Sequence, residues 1–336
     1  MKAVGYKKSL PIDAADSLID FEAPKPEPKG RDIRVAVKAV SVNPVDTKVR
    51  KRAEPPAGET KILGYDAAGV VDAVGPKVTL FKAGDEVFYA GSNQRQGTNS
   101  EFHLVDERIV GHKPKSLAFA PAAALPLTSI TAWELLFDRL QAEQGAGDKR
   151  TLLIVGGAGG VGSILIQLAR KLTGLTVIAT ASRPESIKWC LDLGAHHVVD
   201  HSKPMKEQIA KLNVAPVSLI ASLTGTDQHF VSLADIIAPQ GRIGLIDDPT
   251  KLDAVLLKGK AVSLHWESMF TRSTFQTPDI IEQHELLDKV AGLIDKGELK
   301  TTLDKVVGKI DAANLKKAHA AIESGKSVGK LVLEGW

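Results

Sequence analysis

The stretch Thr151-Leu152-Leu153-Ile154-Val155-Gly156-Gly157-Ala158-Gly159-Gly160-Val161-Gly162-Ser163 constrains this chain more than any other, because an apolar run leads into spaced glycines and then into helical periodicity. Gly157, Gly159 and Gly162 fit G-x-G-x-x-G in the strand-to-helix setting that gives this spacing its meaning. There the first glycine makes a tight turn, the second lets the backbone approach a pyrophosphate, and the third lets the helix pack close to its strand. Downstream, Val161, Ile164, Leu165, Leu168, Ala169 and Leu172 recur at helical spacing and form one apolar stripe. The N-terminus of such a helix aims unpaired N–H groups and a partial positive charge at the glycine turn, where a diphosphate could sit. The stretch therefore predicts a dinucleotide site whose backbone comes from Gly157, Ala158, Gly159, Gly160, Val161 and Gly162. A purely structural glycine turn is the alternative.

A chain of 336 residues suggests two domains, since single cores usually stop growing at about 250 to 300 residues. Hydrophobic residues are 43% and charged residues 25%, ordinary for a globular protein. Lys plus Arg number 43 against 40 for Asp plus Glu, so no global field attracts nucleic acid or an anionic membrane. The start, Met1-Lys2-Ala3-Val4-Gly5-Tyr6-Lys7-Lys8, lacks the apolar core of a signal peptide, and no apolar run is expected to reach bilayer-spanning length. A cytoplasmic chain is expected. One cysteine, Cys190, cannot form an internal disulfide or a multi-cysteine metal site.

Two kinds of pattern divide the chain. Residues 1–125 carry short alternating runs, such as Ile33 to Val40 and Ala68 to Val74, punctuated by Val74-Gly75-Pro76 and Lys82-Ala83-Gly84-Asp85, and predict small, mostly antiparallel β-structure. From residue 126 a helix is expected over Ile130, Trp133, Leu136, Phe137 and Leu140. Strand-like runs then alternate with helical ones: Leu152 to Val155, Thr176 to Thr180, His197 to Val199, Val217 to Ala221, Arg242 to Ile246 and Ala261 to Trp266. That alternation predicts parallel βαβ units over 126–266 and hence a doubly wound sheet. The tail, 267–336, shows an amphipathic helix through Leu286, Leu287, Val290, Leu293 and Ile294 and a closing strand, Lys330-Leu331-Val332-Leu333. It does not extend the alternation and is assigned to the first domain, leaving a cleft between the two.

The second strand of the nucleotide unit decides which dinucleotide is expected. An NAD site ends that strand in an acidic residue about 20 residues past the glycines, which grips the ribose 2′-hydroxyl. Here Thr176-Val177-Ile178-Ala179-Thr180 is followed by Ala181-Ser182-Arg183, with no carboxylate. Ser182 can donate a hydrogen bond to a 2′-phosphate and Arg183 can make charge-assisted contacts to it, so NADP(H) is expected. A solvated Arg183 beside Pro184 at a helix start is the alternative. The only histidine cluster is His196, His197 and His201. On a strand from Ala195 to Asp200, His197 and His201 would lie roughly 13 Å apart at about 3.3 Å per residue, too far to share a metal.

The chain resembles the medium-chain dehydrogenase/reductases, specifically the quinone oxidoreductase-like branch also called zinc-type alcohol dehydrogenase-like. The resemblance rests on Ser41-Val42-Asn43-Pro44-Val45-Asp46, Gly64-Tyr65-Asp66-Ala67-Ala68-Gly69-Val70-Val71, Gly84-Asp85-Glu86-Val87, the stretch from Leu125 to Trp133, the glycine motif and Gly329-Lys330-Leu331-Val332-Leu333. It implies an α/β fold, a Rossmann doubly wound parallel sheet (126–266) plus a GroES-like, mostly antiparallel β-domain (1–125 and 267–336). Zinc-bearing members carry a cysteine where Asn43 stands, a His-Glu pair where Tyr65-Asp66 stands, and a further cysteine near Leu127. Zinc prefers thiolate or imidazole in tetrahedral array, so no metal is expected here. The cysteine-rich structural zinc lobe is missing as well, since Gly91 to Phe102 contains no cysteine.

Without a Lewis acid, conjugated acceptors are favoured, because hydride addition to an enone or a quinone leaves a delocalised anion that neutral donors can hold. The resemblance puts Tyr65 and Asn43 in the catalytic site, Tyr65 as hydrogen-bond or proton donor and Asn43 orienting the carbonyl or the nicotinamide ribose; a wall role for Tyr65, with solvent giving the proton, stays open. It puts Thr131 near the nicotinamide carboxamide. Thr224 and Ile246 follow the fourth and fifth strands, at the strand ends where such sheets bind ligand. Met269 and Phe270 are expected at the cleft mouth or in ordinary core packing, and Lys330 at a cofactor phosphate or on the surface. Small-molecule quinones, enones or carbonyl compounds are the expected substrates, and neither nucleic acid nor membrane is an expected partner. Pairing of the Ala261 to Trp266 edge across a two-fold axis would give a homodimer. A zinc alcohol dehydrogenase with atypical ligands and a catalytically lapsed NADPH-binding regulator are the other functional readings.

Overall fold

The computed structural model describes residues 1–336, which form two compact units, Met1–Ile130 with Phe270–Trp336, and Thr131–Met269. The division falls inside the helix Pro126–Trp133, a few residues beyond the change in sequence pattern at 125/126.

The second unit is built on six parallel strands: β1 (Thr151–Val155), β2 (Thr176–Thr180), β3 (His197–Val199), β4 (Val217–Ser222), β5 (Arg242–Leu245) and β6 (Ser263–Trp266). Their order, β3-β2-β1-β4-β5-β6, is that of the doubly wound dinucleotide-binding sheet. β1 is buried at every position, as a central parallel strand covered on both faces must be, which explains its unbroken apolar sequence. Leu153, Ile178, Ile220 and Ile243 from four strands share a core with Phe230, Leu233 and Ile237. The helix Gly160–Leu172 buries Ile164, Leu165, Leu168 and Ala169 of the stripe read from its spacing, leaves Val161 and Leu172 half-buried, and also buries Ser163, Ile166 and Gln167 on its other sides.

Three local expectations need correction. β3 covers His197–Val199 as its apolar run indicates, but the longer strand from Ala195 to Asp200 used to space the histidines does not form, and His201 lies in the following turn. β6 begins at Ser263, because Ala261 takes a left-handed conformation that closes the preceding 3-10 turn. The stretch Phe119–Arg139, helical except at Ala124 and Leu125, is by length and composition alone long and apolar enough to cross a membrane, contrary to the sequence reading; most of it is buried within the protein, so packing accounts for its apolar character. Its last part, Glu134–Arg139, widens into a π-helix.

In the first unit the eleven-residue strand Asp32–Val42 organises the sheet. It pairs antiparallel with Ala67–Val74, Phe102–Asp106 and Lys330–Glu334. Ile33, Val35, Val37, Val71, Val87 and Val105 share one core with Ile310, Leu315, Leu331 and Leu333, which ties the C-terminal tail to this unit. The tail also contains a parallel pair that the sequence reading missed: Leu303–Gly308 runs beside Lys330–Glu334, with the helix Ala312–Glu323 between them in the chain. Asp304, Lys305 and Val306 are exposed, so the missed strand carries no apolar alternation to reveal it. The pairing of Leu331 with Val42 has a functional consequence, since it brings Lys330 beside the residue after Val42, Asn43.

Candidate active site

In the second unit the glycine corner follows β1, and its glycines divide the work differently from the sequence expectation. The left-handed turn residue is Gly156, with φ of 84°, not Gly157. Gly157 is needed for packing, because a Cβ there would lie 2.7 Å from the Cβ of Ala179 and 3.1 Å from the Sγ of Cys190. Gly159 caps the helix Gly160–Leu172 in extended conformation. At Gly162 a Cβ would come within 2.5 Å of the carbonyl oxygens of both Gly156 and Gly157, so only glycine lets the first helical turn close over the loop. The Gly156 N–H donates to the Thr180 hydroxyl at the end of β2, and Thr224, exposed after β4, stands against Gly156. Ala158, Gly160 and Val161 complete the corner, and Ile246 follows β5 half-buried.

Beyond β2, Ala181 is buried and Ser182 exposed. Arg183 caps the helix Pro184–Asp192, with its guanidinium 3.3 Å from Glu185 and donating to the Ser186 hydroxyl at 3.1 Å. Its positive charge therefore stands on a partly exposed helix start. Thr131 is buried in the helix Pro126–Trp133. His201 and His229 lie 5.9 Å apart, the first also bonded to the Thr180 hydroxyl. Nowhere do three His, Cys, Asp or Glu side chains converge in a way that could hold a metal.

The first unit holds a buried charged cluster that the sequence did not announce. Asp66 is fully buried and accepts from the Asn43 side-chain amide at 2.8 Å, from the Leu127 N–H at 2.8 Å and from the Lys330 ammonium at 2.9 Å. The Lys330 Nζ also donates to the Asn43 Oδ1 and to the Val42 carbonyl. An ammonium has three donors, and all three are thereby committed. Lys330 is 3% exposed, so it is not a surface charge, and its three donors are engaged inside the unit. Asn43 uses its amide nitrogen toward Asp66 and its amide oxygen toward Lys330. Beneath it, Asp46 accepts from the N–H groups of Asn43 and Gly64, fixing the start of the helix Pro44–Arg52. Burial pushes the Asp46 carboxyl up to about 7 and raises that of Asp66 too, against the pull of Lys330.

The residues at the zinc-ligand positions are thus an amide, a phenol, a carboxylate and an aliphatic side chain, with an ammonium already seated among them. That set lacks the thiolates and imidazoles that zinc requires, and zinc does not fit it. Tyr65 is buried, and its ring meets Phe270 edge to face at 5.3 Å. Burial, with Asp46 and Tyr6 nearby, raises its hydroxyl pKa well above the ordinary value, so the phenol stays protonated and a donor. Met269 and Phe270 are both buried.

One more buried carboxyl was missed altogether. Glu267, just after β6, is 5% exposed and accepts from the Arg139 guanidinium at 2.8 Å, with the Glu134 carboxyl beside it. Burial and the neighbouring Glu134 carboxyl raise its pKa far above the usual range, with Arg139 opposing. Glu134 and Arg139 both belong to the π-helix. Nothing in the sequence marks Glu267 except its place after an edge strand.

Comparison with known proteins gives this geometry its context. Residues 29–126 match the alcohol dehydrogenase GroES-like domain and residues 193–333 match a zinc-binding dehydrogenase family. A zinc-type alcohol dehydrogenase-like protein of Staphylococcus epidermidis is 38% identical over 336 residues, covering 99% of each chain. A quinone oxidoreductase of Pseudomonas aeruginosa is 30% identical over 320 residues, covering 94% of each. Among solved structures, a candidate zinc-dependent alcohol dehydrogenase of Rhizobium etli superposes with a TM-score of 0.97 at 60% identity, over 100% of this chain and 98% of that one. With a Rossmann sheet, a GroES-like unit and relatives of this kind over its whole length, the chain belongs to the medium-chain dehydrogenase/reductase superfamily, in its quinone oxidoreductase-like branch, and is an oxidoreductase that uses a nicotinamide cofactor.

Proposed function

We propose that this protein is an NADPH-dependent, zinc-independent reductase of quinones or α,β-unsaturated carbonyl compounds. The buried Asn43–Asp66–Lys330 cluster carries the reading, because a position that would need a Lewis acid for simple ketone chemistry holds a charge-compensated ion pair instead. A conjugated acceptor needs less help, since the charge developed on its oxygen is delocalised and neutral hydrogen-bond donors suffice. The bound nicotinamide supplies the hydride. The protein supplies the glycine corner for the diphosphate, Ser182 and Arg183 for a 2′-phosphate, Thr131 for the carboxamide, and Thr224 and Ile246 at the strand ends. Tyr65, held protonated by burial, is the donor proposed for the substrate oxygen.

Association through β6 is proposed as well: nothing in the sheet pairs with its outer edge, and Trp266 at its end is 55% exposed. Light scattering of the purified protein tests the dimer. For the activity, initial rates are measured for quinones, enones and simple aldehydes, each with NADPH and with NADH. Quinone or enone turnover with NADPH ahead of NADH is expected, and it is unchanged by a chelator. Turnover confined to simple aldehydes or alcohols and lost on chelation would sink the reading.

A further inference from the structure

We propose that the Lys330 ammonium is the resident cation of this chain, seated at the positions from which zinc-bearing members of the superfamily hold their metal, and that it bars a divalent ion from them. The idea deepens the zinc-independent reading and rests on it. Zinc-type geometry gathers a ligand from the strand end at position 43, a second from the pair at 65 and 66, and a third near 127. In this protein three of those positions remain joined, but around a nitrogen: Asp66 holds the Lys330 Nζ, Asn43 Oδ1 accepts from it, and the Leu127 N–H closes on the other Asp66 oxygen. The Val42 carbonyl is the third acceptor of the ammonium.

The arrangement follows from strand register, not from chance proximity. Leu331 is paired with Val42 in an antiparallel ladder, so the residue before Leu331 and the residue after Val42 must meet. The lysine stem is enclosed, and the charge of the ammonium is balanced by a carboxylate that is itself inaccessible to water. A metal ion entering here would share Asp66 and Asn43 with a cation already at hydrogen-bond distance, and no thiolate or imidazole stands by to compensate for that repulsion.

Removing the ammonium leaves a carboxylate, an amide oxygen and a backbone carbonyl converging on one vacated spot. Oxygen sets of this kind suit a hard cation or a small ammonium ion and not zinc. Lys330→Ala is therefore expected to lose roughly 10 °C of Tm and to regain a large part of it as methylammonium chloride is added. Tetramethylammonium has the same charge but no N–H and should restore nothing; the wild type and Lys330→Arg should respond to neither salt. In parallel, the wild-type protein dialysed against zinc and then buffer is analysed for bound metal, and less than a tenth of an equivalent per chain is expected.

Equal response of folded Lys330→Ala to the two salts overturns the proposal. So does a stoichiometric zinc in the wild type that Asp66→Asn loses. If Lys330→Ala does not accumulate folded, refolding yield in methylammonium against tetramethylammonium replaces the Tm, with the same two outcomes. None of these measurements uses a substrate or a nicotinamide, so failure of the quinone panel and failure here are separate results.

Discussion

The glycine corner of the second unit and the charged cluster of the first solve opposite problems. At the corner the protein works by leaving atoms out: Gly156 supplies a left-handed turn, and Gly157 and Gly162 have no room for a Cβ. In the cluster it works by putting charge in, with Asp66 and Lys330 taken out of water and compensated by each other, by Asn43 and by backbone groups. The first design tolerates no added volume. The second tolerates no unmatched deletion, because a buried charge that loses its partner keeps its full desolvation cost.

The largest effect should come from filling the corner. Gly162→Val puts branched carbon where even a Cβ is 2.5 Å from two carbonyl oxygens, so the first turn of the helix Gly160–Leu172 must move. Fluorescence titration with NADPH should then show affinity reduced by roughly a hundredfold or more, as expected when positioning groups shift by about an ångström. Unchanged affinity would mean that the corner is not where the diphosphate binds.

Next in size is the cluster. Asp66→Asn leaves the Lys330 ammonium without its buried counter-charge and should destabilise the protein by about 3–5 kcal/mol in urea unfolding. Lys330→Met in the same chain removes the stranded charge, so the double variant should recover most of that loss. Additive losses would show that the two groups are not energetically paired.

These two sites also differ in how far the sequence discloses them. The corner is local: its glycines lie within seven residues, from Gly156 to Gly162, and their spacing together with the flanking strand and helix patterns marks the turn, although it falls one residue earlier than the motif places it because two glycines stand side by side. The doubly wound sheet was equally legible, since buried parallel strands are continuous apolar runs. In the cluster, Asp66 and Lys330 are 264 residues apart, and only the register of Lys330–Glu334 on Asp32–Val42 joins them. Periodicity reports which face of an element is buried and is silent about which charge finds which. The strand Leu303–Gly308 was lost for a related reason, as its exposed middle carries no hydrophobic signature.

A smaller effect is expected at the partly exposed Arg183, whose guanidinium already contacts Glu185 and Ser186. Arg183→Ala should lower kcat/KM for NADPH roughly tenfold, as for a lost hydrogen bond to a charged group, while the value for NADH stays level. Equal losses with both cofactors would make Arg183 a structural cap and weaken the NADP(H) reading.

The smallest effect sharpens the comparison by asking whether a buried carboxyl that shares its cation's neighbourhood with a second carboxyl behaves differently from Asp66. In the unfolded chain Glu267 ionises near its ordinary value of 4.5, whereas burial and the Glu134 carboxyl hold it protonated to higher pH in the folded protein, against the pull of Arg139. Across that interval the folded state binds a proton that the unfolded state has released, so this group contributes stability that is greatest at the acidic end and declines as pH rises through the folded-state value. Glu267→Gln carries no titrating proton, keeps an oxygen to accept from Arg139 and gains an amide that can donate to Glu134. Its Tm should therefore fall less steeply with rising pH than that of the wild type, with the two curves diverging above about pH 4.5 and the variant the more stable on the alkaline side. Parallel curves would mean that the Glu267 proton is shared so evenly with Glu134 that removing one carboxyl leaves the titration to the other.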